Sequence, residues 1–530
     1  MPSDSAPPES SASASAGPAS VTAAVTPAQE IASGAGPGPF FSPEPGDASK
    51  SIPGTGTLIG GLAWVGSVKW STMVVTWLST LVVARLLSPE DYGLLGMATI
   101  YLGLVTNLTE FGIGTTVVTL RNLGREQLAQ LNTVAMLLGV AGVLVSLGMS
   151  GVLARFFDAP QLRWVVIVMS ATFIITSLAT VPTALLQRDL QFKTLALIEG
   201  AKTVLTALSM VVLAWLGFRY WTLVIGALLG VTLSTGLTLR CRRSSFARPR
   251  LASIREALDF SQHIITGRLA WYWFTNADFL IAGKLLGKAP LGAYSFGWNL
   301  SRMIPSKVTD LVGRVTPGFY SAIQDDHAEL RRNLLNLTSG IALITFPATF
   351  GLALVADDFV RFALGDKWEA AIGPLRLLAV YAGLQSIFPI VTQVLIVTGN
   401  QRFNKWTSVA AGIVLPAGFI AGAYWGGGTG IAAAWLLYPL VWTPVLWRVS
   451  RTISLPIRSY LASLWPAVSG ASLMAAAVLA TAWSLPPEVP SGPALFVQVA
   501  AGAAGYVLVL TTLHRDRLRS FRQTLSRLRK

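Results

Sequence analysis

Charged residues are scarce in this sequence. Of its 530 residues, 12% are Asp, Glu, Lys or Arg and 52% are hydrophobic, with a mean hydropathy of +0.58. A soluble protein carries roughly 25% charged residues, so the composition excludes that class. Apolar runs long enough to cross a bilayer core, about 20 residues, recur from Leu58 almost to the end. Because these runs are continuously apolar rather than alternating in polarity, they predict membrane-spanning helices and not the strands of a barrel.

Cysteine and the common catalytic motifs are also missing. The single cysteine, Cys241, lies among arginines and excludes an intramolecular disulfide framework. The chain has no HExxH, CxxC or GxSxG motif. Lys284 in "AGKLL" is not followed by the Ser or Thr of a phosphate-binding loop. We therefore expect no enzyme, no metal site, no cofactor and no ATP site, and we interpret the acidic cluster of Asp357, Asp358 and Asp366 as a solvated loop.

The two ends of the chain differ from its middle. Residues 1–50 are almost entirely Pro, Ser, Ala, Gly and Thr, and this composition predicts a disordered tail without the pattern of a signal peptide. Residues 514–530 carry seven Lys and Arg with leucines at helical spacing. This basic tail is typical of a segment that lies on an anionic membrane surface, although a charge run that only fixes topology explains it equally well.

Fourteen candidate membrane spans follow from the apolar runs between the two tails. Their predicted bounds are 58–83, 92–118, 128–154, 164–187, 195–217, 220–239, 257–283, 291–318, 335–356, 371–398, 406–425, 428–447, 461–483 and 493–513. The number of spans depends on whether the apolar stretches 195–239 and 406–447 are each divided in two, the first at Arg219 and the second at "WGGGTG". With the N-terminus in the cytoplasm, the even-numbered junctions and the C-terminal tail hold 24 Lys and Arg, and the odd-numbered junctions hold 9. This bias predicts two cytoplasmic termini.

One short turn sequence occurs twice in the chain. The stretch "VVARLLSPEDYGLLG" at 82–96 aligns with "LIAGKLLGKAPLGAYS" at 280–295 at a constant offset of 199 residues, which places Gly93 on Gly292. Six spans separate the copies, so both face the same side of the membrane. The repeat predicts two parallel six-helix lobes, 51–250 and 251–455, followed by two extra helices in 456–513. Parallel repeats of this kind are one architecture of transporters, whereas chance similarity is the alternative.

Buried cations occupy equivalent places in the two predicted lobes. The same offset of 199 residues aligns Lys69 in the first span with Arg268 in the seventh span. A cation at the bilayer centre costs at least about 2.5 kcal/mol, so it is expected to face a partner or a wet cavity. We interpret the pair as two positive walls of one cavity. Neutralisation of each by an acid such as Glu110 or Asp278 is the alternative.

The eighth span adds further charges. Lys307, Asp310 and Arg314 follow i, i+3, i+7 spacing and share one helix face, and Arg302 lies one turn before Pro305. Direct substrate contact and an internal ion-pair network around Asp310 both fit this pattern. The candidate cationic cavity therefore consists of Lys69, Arg268, Arg302, Lys307 and Arg314, with Glu110, Asp278 and Asp310 as candidate coupling or charge-pairing acids.

The sequence resembles a known family in the two repeated regions. "VVARLLSPEDYGLLGMATIYLGLVTNLTEFGIG" and "ADFLIAGKLLGKAPLGAYSFGWNLSRMIPSK" are similar to the signatures of bacterial polysaccharide transporters. These are the Wzx-type flippases of the multidrug/oligosaccharidyl-lipid/polysaccharide (MOP) exporter superfamily. The resemblance extends over about residues 55–450. It implies a V-shaped two-lobe transporter in the bacterial plasma membrane that moves a polyprenyl-pyrophosphate-linked oligosaccharide to the outer leaflet.

This resemblance gives the candidate residues their roles. The cavity cations would attract the pyrophosphate, and Trp271, Tyr272, Trp273 and Trp298 either stack on sugars or anchor the helices at the membrane interface. The implied partners are the lipid-linked oligosaccharide and membrane lipids, and docking of a polysaccharide polymerase or a glycosyltransferase stays open. Neither the glycan nor the energy source follows from the residues.

Three other functions stay open at this point. A drug or cation exporter of the same superfamily would share the lobes, but its cavity typically carries acids rather than an excess of cations. A flippase for the peptidoglycan precursor would use the same chemistry as the oligosaccharide flippase. A membrane glycosyltransferase or polymerase is less well supported, because the predicted outer loops are short and carry no metal-binding motif.

Overall fold

The computed structural model describes residues 72–120, 122–486 and 488–515, and within them every regular element is a helix. The all-α class expected from the apolar runs is confirmed. The N-terminal tail, Lys69 and the basic tail beyond Arg515 lie outside the described residues. The first predicted span, 58–83, is described only from Thr72 onwards.

Seven helices form the first bundle, which we name lobe 1. They are α1 (Thr72–Leu86), α2 (Pro89–Glu110), α3 (Ile113–Thr119), α4 (Arg125–Phe156), α5 (Leu162–Arg188), α6 (Phe192–Trp215) and α7 (Trp221–Cys241). The short helix α3 continues α2 after a break at Phe111 and Gly112, both of which adopt left-handed backbone angles. Helices α3, α4 and α5 share one core cluster with the start of the next helix, α8 (Leu251–Leu286), whereas α2 and α5 share a larger one with helices of the second bundle.

Eight helices and two short 3-10 turns form the second bundle, lobe 2. They are α8 (Leu251–Leu286), α9 (Lys288–Ala322), α10 (His327–Leu354), α11 (Ala356–Ala363), a 3-10 turn (Asp366–Ala371), α12 (Ile372–Ser386), α13 (Phe388–Val397), α14 (Gln401–Ala434), a 3-10 turn (Trp435–Leu437) and α15 (Tyr438–Thr452). The chain ends in two extra helices, α16 (Ile457–Ser484) and α17 (Ser491–Thr512), which pack against α10 and α11.

Ten helical segments of the described chain are long and apolar enough to cross a membrane. The chain is therefore a multi-pass membrane protein. Helices α8 and α9 have 36 and 35 residues, more than the length required, but polar and charged residues are spread along both of them. These two helices line an interior cavity, as described below. The count of fourteen spans stays a prediction.

Two turns that decide the predicted splits are present in the structure. Between α6 and α7, Gly217 and Arg219 have φ of +79° and +51°. Within α14, Gly426 and Gly427 leave helical geometry, with Gly427 at φ +56°. Gly422 and Gly430 on either side of that break are in backbone contact, although eight helical residues would keep them about 12 Å apart. The chain therefore reverses direction at both places.

The segment between the lobes is tied to lobe 1. Thr133 on α4 donates a hydrogen bond to the carbonyl of Ala247 at 2.8 Å and accepts one from its amide at 3.2 Å. Ser244 donates to the carbonyl of Leu178 on α5 at 3.0 Å. The first turns of α8 continue this attachment, because Ile254 is buried in a lobe 1 core cluster and Ser261 lies 2.7 Å from Thr116 on α3. Helix α8 therefore begins against lobe 1 and ends in lobe 2.

The two copies of the repeated turn meet each other where α2 crosses α9. A Cβ built on Gly93 would overlap the carbonyl oxygen of Lys288, and a Cβ built on Gly292 would overlap the carbonyl oxygen of Pro89. The start of α2 is capped by Ser88, whose amide donates to Asp91 at 3.0 Å. The lobes thus close on each other through two glycines that the sequence repeat makes equivalent.

Further bonds join the lobes at the same end of the molecule. Trp368 is fully buried, and its Nε1 donates to the carbonyl of Ala84 at 2.8 Å. Lys284 Nζ donates to the carbonyl of Phe156 at 2.7 Å and lies 3.3 Å from Asp158 Oδ2. We name this region the closed end. It carries the odd-numbered junctions of the predicted topology.

Candidate functional site

The candidate site is a cavity of about 650 Å³ between the two lobes. Lobe 1 contributes α2, from Tyr92 to Ile100. Lobe 2 contributes residues of α8, α9 and α12 together with Trp435 and Tyr438. The Gly93–Gly292 crossing lies directly beside it, because Tyr92 and Ser295 line the cavity and neighbour the two glycines. The cavity therefore lies beside the contact that would have to open if the lobes separate.

Stacked rings form the lobe 2 side of the cavity, which we name the aromatic wall (Trp298, Tyr381, Trp435 and Tyr438). The rings of Tyr381 and Trp435 are 4.7 Å apart between centroids and tilted by 29°. Trp298 lies 5.2 Å from Trp435 and 6.1 Å from Tyr381. Tyr381 and Trp435 are buried, whereas Trp298 and Tyr438 are half-buried and present surface to the cavity. The wall is a rigid platform, since each ring is held by at least one other.

A buried carboxylate, that of Asp278, accepts a hydrogen bond from the aromatic wall on the side away from the cavity. Asp278 on α8 is fully buried, and its Oδ2 accepts hydrogen bonds from Tyr294 Oη at 2.6 Å and from Trp435 Nε1 at 3.1 Å. Trp435 Nε1 also lies 3.0 Å from Tyr294 Oη. Among the described groups, Asp278 Oδ1 has no hydrogen-bond partner. Asp278 therefore joins α8, α9 and the 3-10 turn before α15 through neutral donors rather than through a described cation.

Arg302 supplies positive charge to the cavity. Its guanidinium carbon lies 4.7 Å from the centroid of the Trp298 ring, and the described ion pairs do not include it. The amide side chains of Asn276, Asn299 and Gln385 also line the space. Within the described chain, no acidic side chain is among the residues that line this cavity. In a poorly hydrated space, this arrangement favours an anion that also presents hydrogen-bonding groups.

The remaining predicted charges lie elsewhere or outside the described side chains. Lys69 lies outside the described residues, and the side chains of Arg268 and Arg314 are not described, although their positions lie in α8 and α9. Lys307 and Asp310 are exposed further along α9, and no described ion pair joins them. The carboxylate of Glu110 is exposed near the end of α2. The five-cation cavity stays a prediction. Of the two cations whose side chains are described, Arg302 lines the cavity and Lys307 does not.

The acidic cluster is more ordered than a solvated loop. Asp357 and Asp358 lie in α11, and Arg361 contacts Asp357, Asp366 and Glu369 at 3.3, 3.4 and 3.0 Å. Hydrogen bonding to Glu369 and the charge of Asp357 raise the pKa of the exposed Arg361. In the described residues, no three of His, Cys, Asp and Glu are placed to hold a metal ion. This cluster caps the outside of lobe 2 and lies apart from the cavity.

Of the sixteen described residues that line the cavity, the sequence predicted two, Trp298 and Arg302. Tyr381, Gln385, Trp435 and Tyr438 line it, yet none was predicted as a site residue. One signal was available, because Gln385 is a polar residue inside an apolar run and lies one helical turn from Tyr381. Of the aromatic candidates, Trp298 lines the cavity, and Tyr272 Oη donates to the carbonyl of Ile100 at 2.7 Å and so bridges α8 to α2. Trp273 is 63% exposed and faces away from the core.

Comparison with known sequences identifies the family independently of the cavity. The family model described as "Polysaccharide biosynthesis protein" matches residues 82–373, more than half of the chain. The chain is similar to the lipopolysaccharide biosynthesis protein WzxC of Escherichia coli (strain K12), with 25% identity over 76% of this chain and 84% of that protein. It is also similar to the teichuronic acid biosynthesis protein TuaB of Bacillus subtilis (strain 168), with 24% identity over 79% of this chain and 86% of that protein.

Comparison with solved structures concerns the fold. The lipid II flippase MurJ in an inward closed conformation superimposes with a TM-score of 0.66 at 13% sequence identity. The match covers 86% of this chain and all of that one. At this identity the likeness establishes the architecture alone. The helices of this chain are therefore arranged as in that structure.

Proposed function

This chain belongs to the polysaccharide biosynthesis protein family, and we propose that it is a flippase for a polyprenyl-pyrophosphate-linked oligosaccharide. It moves this lipid from the inner to the outer leaflet for the synthesis of a surface polysaccharide. The observation that carries the proposal is the cavity between the lobes, with Arg302, three amide side chains and an aromatic wall. The chain acts as a transporter and carries out no chemical step on its cargo.

The chemistry of the cavity matches such a cargo. A glycan headgroup is rich in hydroxyl groups and cannot cross hydrocarbon unaided, because each unpaired polar group would cost several kcal/mol. Amides and hydroxyls in the cavity replace water for these groups, and Arg302 attracts the pyrophosphate. The polyprenyl tail needs no such environment and stays in lipid. The protein has to shelter the headgroup alone.

Alternating access provides the path. The lobes are in contact at the Gly93–Gly292 crossing, and the cavity lies beside this contact. In the proposed cycle the crossing separates to release the headgroup on the other side of the membrane. The names of the relatives support the same role, since WzxC and TuaB are both named for the biosynthesis of surface polymers.

The cavity also distinguishes this proposal from drug export. A transporter for organic cations needs acidic groups that face its cargo, and the acid next to this cavity, Asp278, is fully buried behind Trp435 and Tyr294. Among the described residues that line the cavity, the charged side chain is the cation Arg302. The positive charge of Arg302 favours an anionic cargo.

The proposed location is the bacterial plasma membrane with both termini in the cytoplasm. The closed end then faces outwards. From the sequence we expect Lys69, Arg268, Lys307 and Arg314 to extend the positive charge of Arg302 towards the cytoplasm, and the basic residues 514–530 to bind the inner leaflet as a docking segment for a polysaccharide polymerase or glycosyltransferase. The charge bias along the sequence supports this orientation.

Deletion of the gene tests the proposal. Mass spectrometry of lipid extracts is expected to show accumulated polyprenyl-pyrophosphate oligosaccharide, together with loss of surface polymer. Both defects should be reversed by the wild-type chain and not by an Arg302→Gln variant of equal abundance. Unchanged lipid intermediates with normal surface polymer would reject the function, and altered drug sensitivity in the same cells would favour export of small molecules.

A further inference from the structure

Arg302 and Trp298 are in contact inside the cavity. They lie four residues apart on α9 and therefore share one helix face. The guanidinium carbon lies 4.7 Å from the centroid of the indole, and both side chains line the cavity. This is a cation–π contact, in which the guanidinium covers one face of the ring.

The two members of the contact differ in their freedom to move. The Trp298 indole is held by Trp435 at 5.2 Å, Phe279 at 5.8 Å and Tyr381 at 6.1 Å between ring centroids. Arg302 takes part in none of the hydrogen bonds or ion pairs found among the described residues. Among the described residues, the direct contact of its long side chain is the Trp298 ring. If a stronger partner enters, Arg302 is the member that moves.

A diphosphate is such a partner. A guanidinium binds phosphate oxygens through two parallel charge-assisted hydrogen bonds, which are stronger than a cation–π contact. When Arg302 turns to a diphosphate, the face of Trp298 that it covered becomes free. An aromatic face carries partial negative charge and attracts the polarised C–H groups on one face of a pyranose ring. The amides of Asn299 and Gln385 also line the cavity and can bond to its hydroxyls.

We propose that Trp298 and Arg302 are a two-part subsite for a glycosyl diphosphate, in which Arg302 binds the diphosphate and thereby uncovers Trp298 for the attached sugar. The proposal rests on the flippase function and adds the part of the cargo that this site recognises. It makes the binding of the sugar conditional on the binding of the anion. A neutral glycoside has to displace Arg302 without offering it a new partner, and so binds weakly.

The conditional binding is measured on the full chain in lipid nanodiscs. A glucoside detergent is avoided as the solubilising agent, because at a solubilising concentration it would itself occupy the site. Three probes separate the two parts: farnesyl diphosphate, glucosyl farnesyl diphosphate and octyl glucoside. We expect the glucosyl compound to bind the wild type more tightly than farnesyl diphosphate does, and Trp298→Leu to abolish this difference. Octyl glucoside should bind Arg302→Gln about three- to tenfold more tightly than the wild type, since the ring is then uncovered.

A matched pair outside the cavity controls for nonspecific effects. Arg451 covers the ring of Trp447 at 4.1 Å with the same spacing of four residues on α15, and neither lines the cavity. Trp447→Leu and Arg451→Gln should leave the affinity for all three probes unchanged. Because the Arg302→Gln result is a gain of binding, loss of folded protein cannot produce it.

The outcomes separate this subsite from the function on which it rests. Equal affinity of octyl glucoside for the wild type and Arg302→Gln, or an undiminished advantage of the sugar in Trp298→Leu, would overturn the subsite while leaving the flippase intact. Failure of both diphosphate probes to bind the wild type would reject the subsite and the proposed function together.

Discussion

Gly93 and Gly292 occupy equivalent places in the sequence repeat and are in direct contact in the structure. Each lacks a side chain where the backbone of the other helix passes, beside Lys288 and Pro89 respectively. A repeat that keeps glycine at both positions therefore preserves one crossing of two helices rather than two independent turns. The cavity lies beside the crossing, which together with the bonds of Trp368 and Lys284 joins the two lobes at this end.

Enlarging either glycine should open this end. Gly93→Ala or Gly292→Ala forces α2 and α9 apart, at a cost of about 1–3 kcal/mol to the closed arrangement. Spin labels on cysteines at Glu90 and Asp366, both exposed at the closed end, would report the change in a Cys241→Ser background. We expect the distance distribution between the two labels to shift to longer values.

The control for this substitution is Gly148→Ala on α4. A Cβ at Gly148 meets no described atom within 4 Å, so the alanine should leave the label distances unchanged. If Gly93→Ala and Gly292→Ala behave like this control, the crossing is not the contact that holds the lobes closed.

Trp368→Phe tests the bond between α1 and lobe 2. The substitution keeps most of the buried ring but removes the hydrogen bond from Nε1 to the carbonyl of Ala84. A buried carbonyl without its partner costs about 1–3 kcal/mol, so the thermal unfolding midpoint should fall. Trp425→Phe, at a ring that is 89% exposed, provides the comparison and should change the midpoint little. An equal fall in both variants would assign the effect to ring size and not to the hydrogen bond.

Asp278 is expected to act by positioning the aromatic wall. Asp278→Asn keeps an acceptor for Tyr294 and Trp435, whereas Asp278→Leu removes it and leaves the Tyr294 hydroxyl without a described acceptor. The leucine variant should lose about 1–3 kcal/mol of unfolding free energy, and the asparagine variant clearly less. Thermal unfolding of the purified variants measures this, alongside export. A folded Asp278→Asn chain with no export would show that the charge itself is required, as expected of a coupling residue and not of a positioning residue.

The proposed orientation predicts opposite labelling of two cysteines by an impermeant thiol reagent added to intact cells. The native Cys241, exposed at the end of α7, should stay unlabelled because it faces the cytoplasm. A Ser88→Cys variant in a Cys241→Ser background should be labelled from outside. The reverse pattern would invert the topology and place the closed end in the cytoplasm.

The repeat-related cations give a prediction that depends on the sequence alone. If Lys69 and Arg268 line one cavity, replacing either by Ala should lower export of surface polysaccharide without lowering protein abundance, and Lys69→Arg should be milder. Normal export from the Lys69→Ala, Arg268→Ala double variant would end the shared-cavity interpretation.

The sequence predicted what depends on local chemistry. Apolar runs located the helices. A charged residue, Arg219, and the glycines around Gly427 interrupted these runs, and in the structure both positions adopt left-handed backbone angles. The repeat around Gly93 and Gly292 predicted that both copies face one side. It did not predict that they touch, since contact between residues 199 positions apart depends on how the two lobes pack.

The cavity was less predictable than the fold. Charged residues stand out in apolar helices, and so Arg302 was found, whereas Tyr381 and Trp435 resemble ordinary core or interfacial residues. Asp278 was predicted as a candidate coupling or charge-pairing acid, and this role stays a prediction. Its described hydrogen bonds come from Tyr294 and Trp435, which are neutral donors and leave no charge pattern in a sequence. The aromatic wall exists only after α9, α12 and the start of α15 come together.

The central claim is that this chain moves a lipid-linked glycan across the membrane. The most direct test reconstitutes it into liposomes that carry a trace of polyprenyl-pyrophosphate oligosaccharide in both leaflets, and then measures the fraction cleaved by a glycosidase added outside. The account predicts cleavage of only the outer-leaflet share in protein-free liposomes and in those with Arg302→Gln, and nearly complete cleavage with the wild-type chain. Cleavage confined to the outer-leaflet share in the presence of folded wild-type protein would contradict it.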